Sequence, residues 1–134
     1  MKHVHVTCAI VERDGLVLAT QRGPGMSLPG KWEFPGGKID PGQTPADCLR
    51  RELVEELALE VRLEASLPPS THTYPTFTVT LYPFVCSILR GTMVLLEHSA
   101  ARWLARNDLP SLDWAAADIP VLTDYLAGVR CPVA

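Results

Sequence analysis

The strongest constraint on this chain is a short run of glutamates that follows two adjacent glycines, Gly36 and Gly37. Glu52, Glu55 and Glu56 stand at positions i, i+3 and i+4, a spacing that places side chains on one face of an α-helix. Like charges at this spacing repel one another and destabilise an isolated helix. Carboxylate oxygens are also ligands that Mg²⁺ prefers, together with waters and substrate phosphates. The run therefore predicts either a Mg²⁺ site or a solvated helix face with weak surface ion pairs.

The segment around these glutamates predicts a helix over Pro45–Leu57. Thr44 is a favourable N-cap residue, Pro45 suits the first helical position, and Asp47 stands third, as in a capping box. Upstream, residues 34–38 read Phe-Pro-Gly-Gly-Lys, which predicts a rigid turn whose glycines allow a close approach to a ligand. The apolar stripe of the helix is predicted to contain Ala46, Leu49, Leu53 and Leu57.

The other apolar runs predict a mixed sheet flanked by helices, an α+β fold. Asp14 and Gly15 form a hairpin signal between two strand-like runs, and Pro68-Pro69-Ser70 breaks the chain. A second helix is expected over Ile119–Leu126. Strands are predicted for residues 4–11, 16–20, 32–34, 59–67, 74–89, 92–96 and 101–104, where 74–89 is one long strand or a pair bent around Pro83.

Residues 36–59 resemble the Nudix box, Gly-x5-Glu-x7-Arg-Glu-U-x-Glu-Glu-x-Gly-U, in which U is a bulky aliphatic residue. Gln43 replaces the first Glu of the box, and Ala58 replaces its last Gly. Residues 32–38 and 117–120 are similar to the MutT-like branch of the family, which includes CTP and 8-oxo-dGTP pyrophosphohydrolases. The positions that match the box are Gly37, Arg51, Glu52, Leu53, Glu55, Glu56 and Leu59.

The resemblance implies a single Nudix domain over residues 1–134, with an α/β/α sandwich and a mixed sheet around a central box helix. It also implies a Mg²⁺-dependent hydrolase that converts a nucleoside triphosphate and water into a monophosphate and pyrophosphate, and so sanitises oxidised or surplus nucleotides. The alternative is a non-catalytic nucleotide-binding or sensor module. Retention of all three helix glutamates favours the enzyme.

The same resemblance implies roles for individual acidic residues. Arg51 would orient the carboxylates, and Glu97 would be the additional acid of a late loop, acting as metal ligand or base. Glu56 is the competing candidate for the base that activates water. For Glu97 the alternative is an ordinary turn residue. The Mg²⁺ ion, for which Mn²⁺ could substitute, would be bound by Glu52, Glu55, Glu56, Glu97 and the carbonyl of Gly37.

Four further residues are candidates for substrate binding. Arg22 and Lys38 could contact phosphate, although either could serve only surface solubility. Phe34 could line a base pocket or pack in the core. Asp118 stands where the MutT-like branch reads the base edge, and it could equally be the N-cap of the last helix.

Charge and hydropathy exclude several other classes of function. The chain has 12 Lys and Arg against 15 Asp and Glu, so we expect no polymeric nucleic acid as a partner. It has no apolar run of 18 residues and charges near its start, so we expect no membrane partner and a cytoplasmic location. Cys8 and Cys86 are expected to be small buried apolar residues, and Cys131 an exposed thiol. A monomer and a homodimer both remain open.

Overall fold

A mixed eight-stranded β-sheet between two helices forms the framework of the protein in a computed structural model, which describes residues 1–133. The strands are β1 (Lys2–Arg13), β2 (Leu16–Gln21), β3 (Trp32–Glu33), β4 (Gly36–Lys38), β5 (Glu60–Ser66), β6 (Ser70–Thr73), β7 (Phe77–Arg90) and β8 (Ala100–Ala105). The helices are α1 (Pro45–Leu57) and α2 (Ile119–Leu126), with short 3₁₀ helices at Arg106–Ser111 and Ala116–Asp118. The predicted α+β sandwich is confirmed. Within residues 1–133, no helix is long and apolar enough to cross a membrane.

The helices cover the two faces of the sheet because alternate residues of a strand point to opposite sides. Ile10 of β1 lies in the core beneath α2, together with Tyr125. Its neighbour Val11 lies in the other core beneath α1, together with Leu53. All four of these side chains are 0–1% exposed, so the box helix is fixed to the sheet by its apolar stripe.

The strand order places β1 and β7 side by side and parallel in the centre of the sheet. β1 also pairs antiparallel with β2 and β4, β7 pairs with β5 and β6, and β2 pairs with β3 and β8. The predicted hairpin is confirmed, because Asp14 and Gly15 have φ values of 53° and 78°, as a tight hairpin turn with two left-handed residues requires.

Pro83 lies inside the single long strand β7 without breaking it, so the bent-pair alternative is wrong. The partner strand changes beside this proline. Ser66 of β5 pairs with Phe84, whereas Ser70 of β6 pairs with Leu81. Proline lacks a backbone N–H and is tolerated where a ladder hydrogen bond is not needed. Pro83 lies opposite the segment between β5 and β6, where neither strand needs a hydrogen bond from its nitrogen.

Two segments differ from the sequence prediction because backbone contacts override local propensity. Residues 92–96 form no strand. The N–H groups of Val94 and Leu96 instead bond to the carbonyls of Leu57 (3.0 Å) and Glu56 (3.2 Å), which caps the last turn of α1. Ser70, predicted to lie in a chain break, begins the strand β6.

The glycine pair is a strand rather than the predicted turn. Gly36 and Gly37 belong to β4, which pairs with residues Val6 to Cys8 of β1. A Cβ atom on Gly36 would lie 1.8 Å from the carbonyl oxygen of Thr7, so a side chain would push the strands apart. Glycine is needed here for the close approach of two backbones, which the sequence cannot distinguish from a turn.

Candidate active site

A cleft of about 710 Å³ runs from the acidic face of α1 to the start of α2, a volume typical of small-molecule sites. Arg51 lies on the same helix but outside the cleft lining. The other predicted site residues all line the cleft, although they are far apart in the sequence. They are Arg22, Phe34, Gly37, Lys38, Glu52, Glu55, Glu56, Glu97 and Asp118.

The box helix begins and ends as the sequence predicts. Thr44 accepts a hydrogen bond on its hydroxyl from the Asp47 N–H at 3.1 Å, which satisfies one free donor of the first turn. At the other end, Ala58 is left-handed with φ 58° and ψ 33°, and its N–H bonds to the carbonyls of Leu53 and Val54. Ala58 therefore has the conformation that the glycine of the family pattern adopts without strain.

Gly37 lies directly beneath the first glutamate of the helix. A Cβ atom at this position would lie 2.2 Å from Cδ of Glu52, so any side chain would displace that carboxylate from the strand. The Glu52 side chain is 14% exposed, and its burial raises its pKa. The glycine thus lets a partly buried carboxylate lie against the backbone of β4, where the Gly37 carbonyl could share a ligand with it.

Arg51 contacts two of the three helix glutamates. Its guanidinium lies 3.2 Å from a carboxylate oxygen of Glu52, 3.3 Å from one of Glu55, and 3.2 Å from one of Asp40. Gln43 joins this group, because its Oε1 accepts a hydrogen bond from Arg51 at 3.5 Å and another from the Asp40 N–H at 3.2 Å. This geometry suits a residue that orients carboxylates.

Glu56 has a different environment, with carboxylates rather than an arginine around it. Its side chain is buried, and Oε2 has no hydrogen-bond partner among residues 1–133. Burial first, and then the nearby carboxylates of Glu52, Glu97 and Glu33, raise the pKa of Glu56 to about 8. A cation in this part of the cleft would supply the missing partner and offset the repulsion. The residues therefore fit a divalent metal ion.

The carboxylates nevertheless do not form a ready-made cage. Across the described chain, no three His, Cys, Asp or Glu side chains converge closely enough to hold a metal ion as they stand. Glu55 in particular is turned toward Arg51. Metal binding would require the carboxylates to rotate toward a shared point, which exposed side chains such as Glu55 can do readily.

The other end of the cleft is built around Asp118 and aromatic rings. Asp118 occupies the N-cap position of α2, but its side chain forms no capping hydrogen bond within residues 1–133. Its Oδ2 instead accepts a hydrogen bond from the backbone N–H of Phe34 at 2.9 Å. The helix-cap alternative for this side chain is therefore wrong. Burial first, and then Glu33, raise the pKa of Asp118 to about 8.

Phe34 is both a core residue and part of the cleft wall. It is 2% exposed and packs on Trp114 with 4.7 Å between ring centroids. Tyr74 stacks on Phe77 at 4.9 Å, and its hydroxyl accepts a hydrogen bond from the N–H of Ala117, next to Asp118. These rings form an apolar surface beside a buried carboxyl, a combination that suits a planar base.

Sequence reasoning did not single out Glu33 or His98, and it considered Tyr74 beside the pocket only as one option against an ordinary strand residue. Tyr74 looks like an ordinary strand residue, and only its contact with Ala117 assigns it to the cleft. Glu33 lies within residues 32–38, which resemble the MutT-like branch, and this resemblance could have indicated that Glu33 belongs to the site. His98 follows Glu97 directly but is completely buried, and its contact is with Glu33, 65 residues earlier.

The comparison with known proteins agrees with this geometry. The NUDIX domain model matches residues 1–125. The chain is 33% identical to the CTP pyrophosphohydrolase of Escherichia coli K12, over 95% of this chain and 94% of that protein. It is 35% identical to the putative 8-oxo-dGTP diphosphatase 2 of Mycobacterium tuberculosis H37Rv, over 84% and 81%. The solution structure of the E. coli ORF135 protein superposes with a TM-score of 0.81 at 32% identity, over 95% and 91%. The chain therefore belongs to the Nudix family of hydrolases.

Proposed function

We propose that this protein is a Mg²⁺-dependent nucleoside triphosphate pyrophosphohydrolase that acts in the cytoplasm on oxidised or surplus nucleotides. Nudix hydrolases generally use a divalent metal. The observation that carries the proposal is the buried Glu56 carboxyl, without a hydrogen-bond partner among residues 1–133, in the cleft that Asp118 also lines. One end of the cleft suits a cation and phosphates, and the other suits a base.

The residues that would hold Mg²⁺ are Glu52, Glu55, Glu56, Glu97 and the carbonyl of Gly37. When bound, the ion would offset negative charge on the phosphoryl oxygens during attack by water. Arg22 and Lys38 line the same cleft and would bind substrate phosphates through their N–H donors. The side chains of Arg22 and Lys38 would each neutralise part of the substrate charge, and Arg22 would in addition fix the orientation of a phosphate.

The chemical step requires a carboxylate that takes a proton from water. Oxygen of that water forms a bond to phosphorus, and the bridging P–O bond breaks, which yields a monophosphate and pyrophosphate. Glu56 and Glu97 are the two candidates for the base, since both line the acidic end of the cleft. The raised pKa of Glu56 suits a group that holds a proton near neutral pH, whereas bound Mg²⁺ would favour its ionised form.

The substrate is proposed from the base end of the cleft and from the relatives. Those relatives are named for CTP and for 8-oxo-dGTP. A carboxyl such as Asp118 can accept from an exocyclic amine or ring N–H, and in its protonated form it can also donate. Tyr74 and Phe77 would pack against the base. Both a cytosine nucleotide and an oxidised guanine nucleotide satisfy this chemistry.

The experiment that tests the proposal is a turnover assay with a panel of nucleotides. Purified protein is incubated with CTP, dCTP, 8-oxo-dGTP and the canonical triphosphates, each with Mg²⁺, with Mn²⁺ or with a chelator, and products are separated by ion-exchange chromatography. We expect monophosphate and pyrophosphate from at least one nucleotide, only when metal is present. Tight nucleotide binding without turnover under every condition would instead support the non-catalytic sensor.

A further inference from the structure

A chain of three side chains links the late loop to the cleft wall. His98 Nε2 lies 2.9 Å from Oε2 of Glu33, and Oε1 of Glu33 lies 2.5 Å from Nη1 of Arg22. The His98 side chain is 0% exposed, and those of Glu33 and Arg22 are 13% and 18% exposed. Because water competes little at such positions, each contact restricts the rotamer of the next residue. The three residues therefore form one connected unit.

Arg22 keeps donors free for a ligand while it is held in this unit. Its guanidinium has five N–H bonds. One is directed to Glu33, and two go to the carbonyl and the hydroxyl of Ser27. The remaining two N–H bonds belong to a side chain that lines the cleft, so they can bind an anion there.

The backbone around His98 is fixed against the end of β2. Ser99 donates its N–H to the carbonyl of Gln21 at 2.9 Å. A Cβ atom on Gly23 would lie 2.6 Å from the carbonyl oxygen of Glu97, so glycine is required for this close packing. The loop that carries Glu97 and the loop that carries Arg22 are thus in direct contact, and His98 lies at their junction.

We propose that His98 is a positioning residue which, through Glu33, orients the Arg22 guanidinium toward the phosphates of the substrate. The inference rests on the proposed function, since it takes the cleft to bind a nucleoside polyphosphate. The His98 side chain is fully buried and is not part of the cleft lining, so it acts through Glu33. Its Nε2–H occupies one oxygen of Glu33 and leaves the other for Arg22. Without His98, the second oxygen of Glu33 can take one of the two free N–H bonds in a bidentate pair, which leaves the guanidinium a single donor for the cleft.

The test is a double-mutant cycle that measures binding of inorganic tripolyphosphate with Mg²⁺ by isothermal titration calorimetry. We expect Arg22→Ala to weaken binding by about ten- to a hundredfold, because it removes charge-assisted hydrogen bonds. His98→Leu should weaken it by about tenfold. The double variant should bind no more than about twofold more weakly than Arg22→Ala alone, since both changes remove the same contact between Arg22 and the phosphate.

Two matched variants separate positioning from a merely structural role. His98→Gln restores an N–H donor near the position of Nε2 and should recover binding to within about threefold of wild type. Ser99→Ala, on the exposed neighbour of His98, should leave binding unchanged. If His98→Leu does not fold, Glu33→Gln takes its place in the cycle, with the same expected non-additivity with Arg22→Ala.

Several outcomes would overturn the inference. They are additive losses in the double variant, unchanged binding in His98→Leu, no recovery in His98→Gln, and no tripolyphosphate binding by wild type. Hydrolysis by the wild-type protein is measured separately. If wild type shows the expected binding pattern but hydrolyses no nucleotide, the proposed function fails while the role of His98 stands.

Discussion

Glu56 and Asp118 are both buried carboxyls of the same cleft, and burial raises the pKa of each to about 8. Their surroundings differ. Glu56 is near other carboxylates, and its Oε2 has no hydrogen-bond partner within residues 1–133. Asp118 accepts a hydrogen bond from the Phe34 N–H, and its neighbour Ala117 donates its N–H to the hydroxyl of Tyr74. Similar pKa values therefore arise at two sites that require different ligands.

A shifted pKa does not by itself identify the role of a carboxyl. A divalent cation would stabilise the ionised form of Glu56 and relieve its repulsion with Glu52 and Glu97. At Asp118, the partner that fits is a base edge with N–H groups, because the rings of Phe34 and Tyr74 belong to the same end of the cleft as this carboxyl. The comparison predicts that substitutions at the two ends will have separable effects on turnover and on base choice.

The largest effect is expected for Glu56→Gln. This change keeps the shape of the side chain but removes the charge that would bind the metal or activate water. We expect kcat in saturating Mg²⁺ to fall by about a hundredfold or more, and to fall by a similar factor for every nucleotide. Thermal stability without metal at neutral pH should stay the same or rise, because the folded variant no longer has to hold a proton that the unfolded wild type releases.

The matched control is Glu64→Gln, on an exposed glutamate of β5 outside the active-site cleft. It should leave kcat within about twofold of wild type, as surface substitutions usually do. Near-wild-type turnover of Glu56→Gln would remove Glu56 from the metal site and leave Glu97 as the remaining candidate for the base. It would also contradict the proposal that Glu56 and Asp118 require different ligands.

The next largest effect concerns base choice. Asp118→Ala should lower kcat/KM by about ten- to a hundredfold for the preferred base and much less for poor ones, because a paired polar contact in a closed pocket is lost. The decisive quantity is the ratio of kcat/KM for 8-oxo-dGTP and CTP, measured in wild type and variant. An unchanged ratio would show that Asp118 serves only the fold, through its bond to Phe34.

The dependence of stability on pH separates the two carboxyls again. The folded protein holds each proton up to about pH 8, whereas the ordinary pKa values are 4.5 for Glu and 3.8 for Asp. As pH rises, the unfolded chain releases these two protons at a lower pH than the folded protein does. Stability is therefore lost between about pH 4 and about pH 8. Glu56→Gln and Asp118→Asn should each make this loss shallower in metal-free buffer.

Magnesium should affect only one of these two contributions. Bound Mg²⁺ favours the ionised form of Glu56, so it should reduce the difference in pH slope between wild type and Glu56→Gln. The difference between wild type and Asp118→Asn should persist. Melting temperatures of the three proteins at about pH 5 and about pH 8, with and without Mg²⁺, measure all six slopes. Equal responses to Mg²⁺ would show that the metal does not bind near Glu56.

The same contrast explains how much of the site could be predicted from the sequence. Glu52, Glu55 and Glu56 lie within one helix turn, so their spacing places them on a common face. The start of α1 follows from Thr44 and Pro45, which are local signals. For this reason the acidic end of the cleft, including its helix, could be located before the fold was known.

The base end depends on tertiary contacts that no local pattern reports. Phe34, Tyr74 and Asp118 lie up to 84 residues apart, and the bond between the Phe34 N–H and Asp118 forms only after the sheet has assembled. The helix-cap alternative for Asp118 was reasonable from its position before α2, but tertiary structure gave its side chain another partner. The buried contact of His98 with Glu33 was missed for the same reason. The expected cytoplasmic location and the roles of individual site residues stay predictions.

The smallest effect concerns the support of the acidic end rather than the carboxylates themselves. Ala58 ends α1 directly after Leu57, and the late loop caps the Glu56 carbonyl there. Because Ala58 is left-handed, Ala58→Gly should relieve about 1 kcal/mol of strain, partly offset by the entropy of glycine in the unfolded chain. We expect the melting temperature to rise by a few degrees at most, with kcat/KM within about twofold of wild type.

The matched control is Ala127→Gly at the end of α2, where φ is −78° and no strain is relieved. It should lower stability by about 0.5–1 kcal/mol. If both changes destabilise the protein equally, the left-handed Ala58 is not strained, and its departure from the family glycine has no consequence for the acidic end of the cleft.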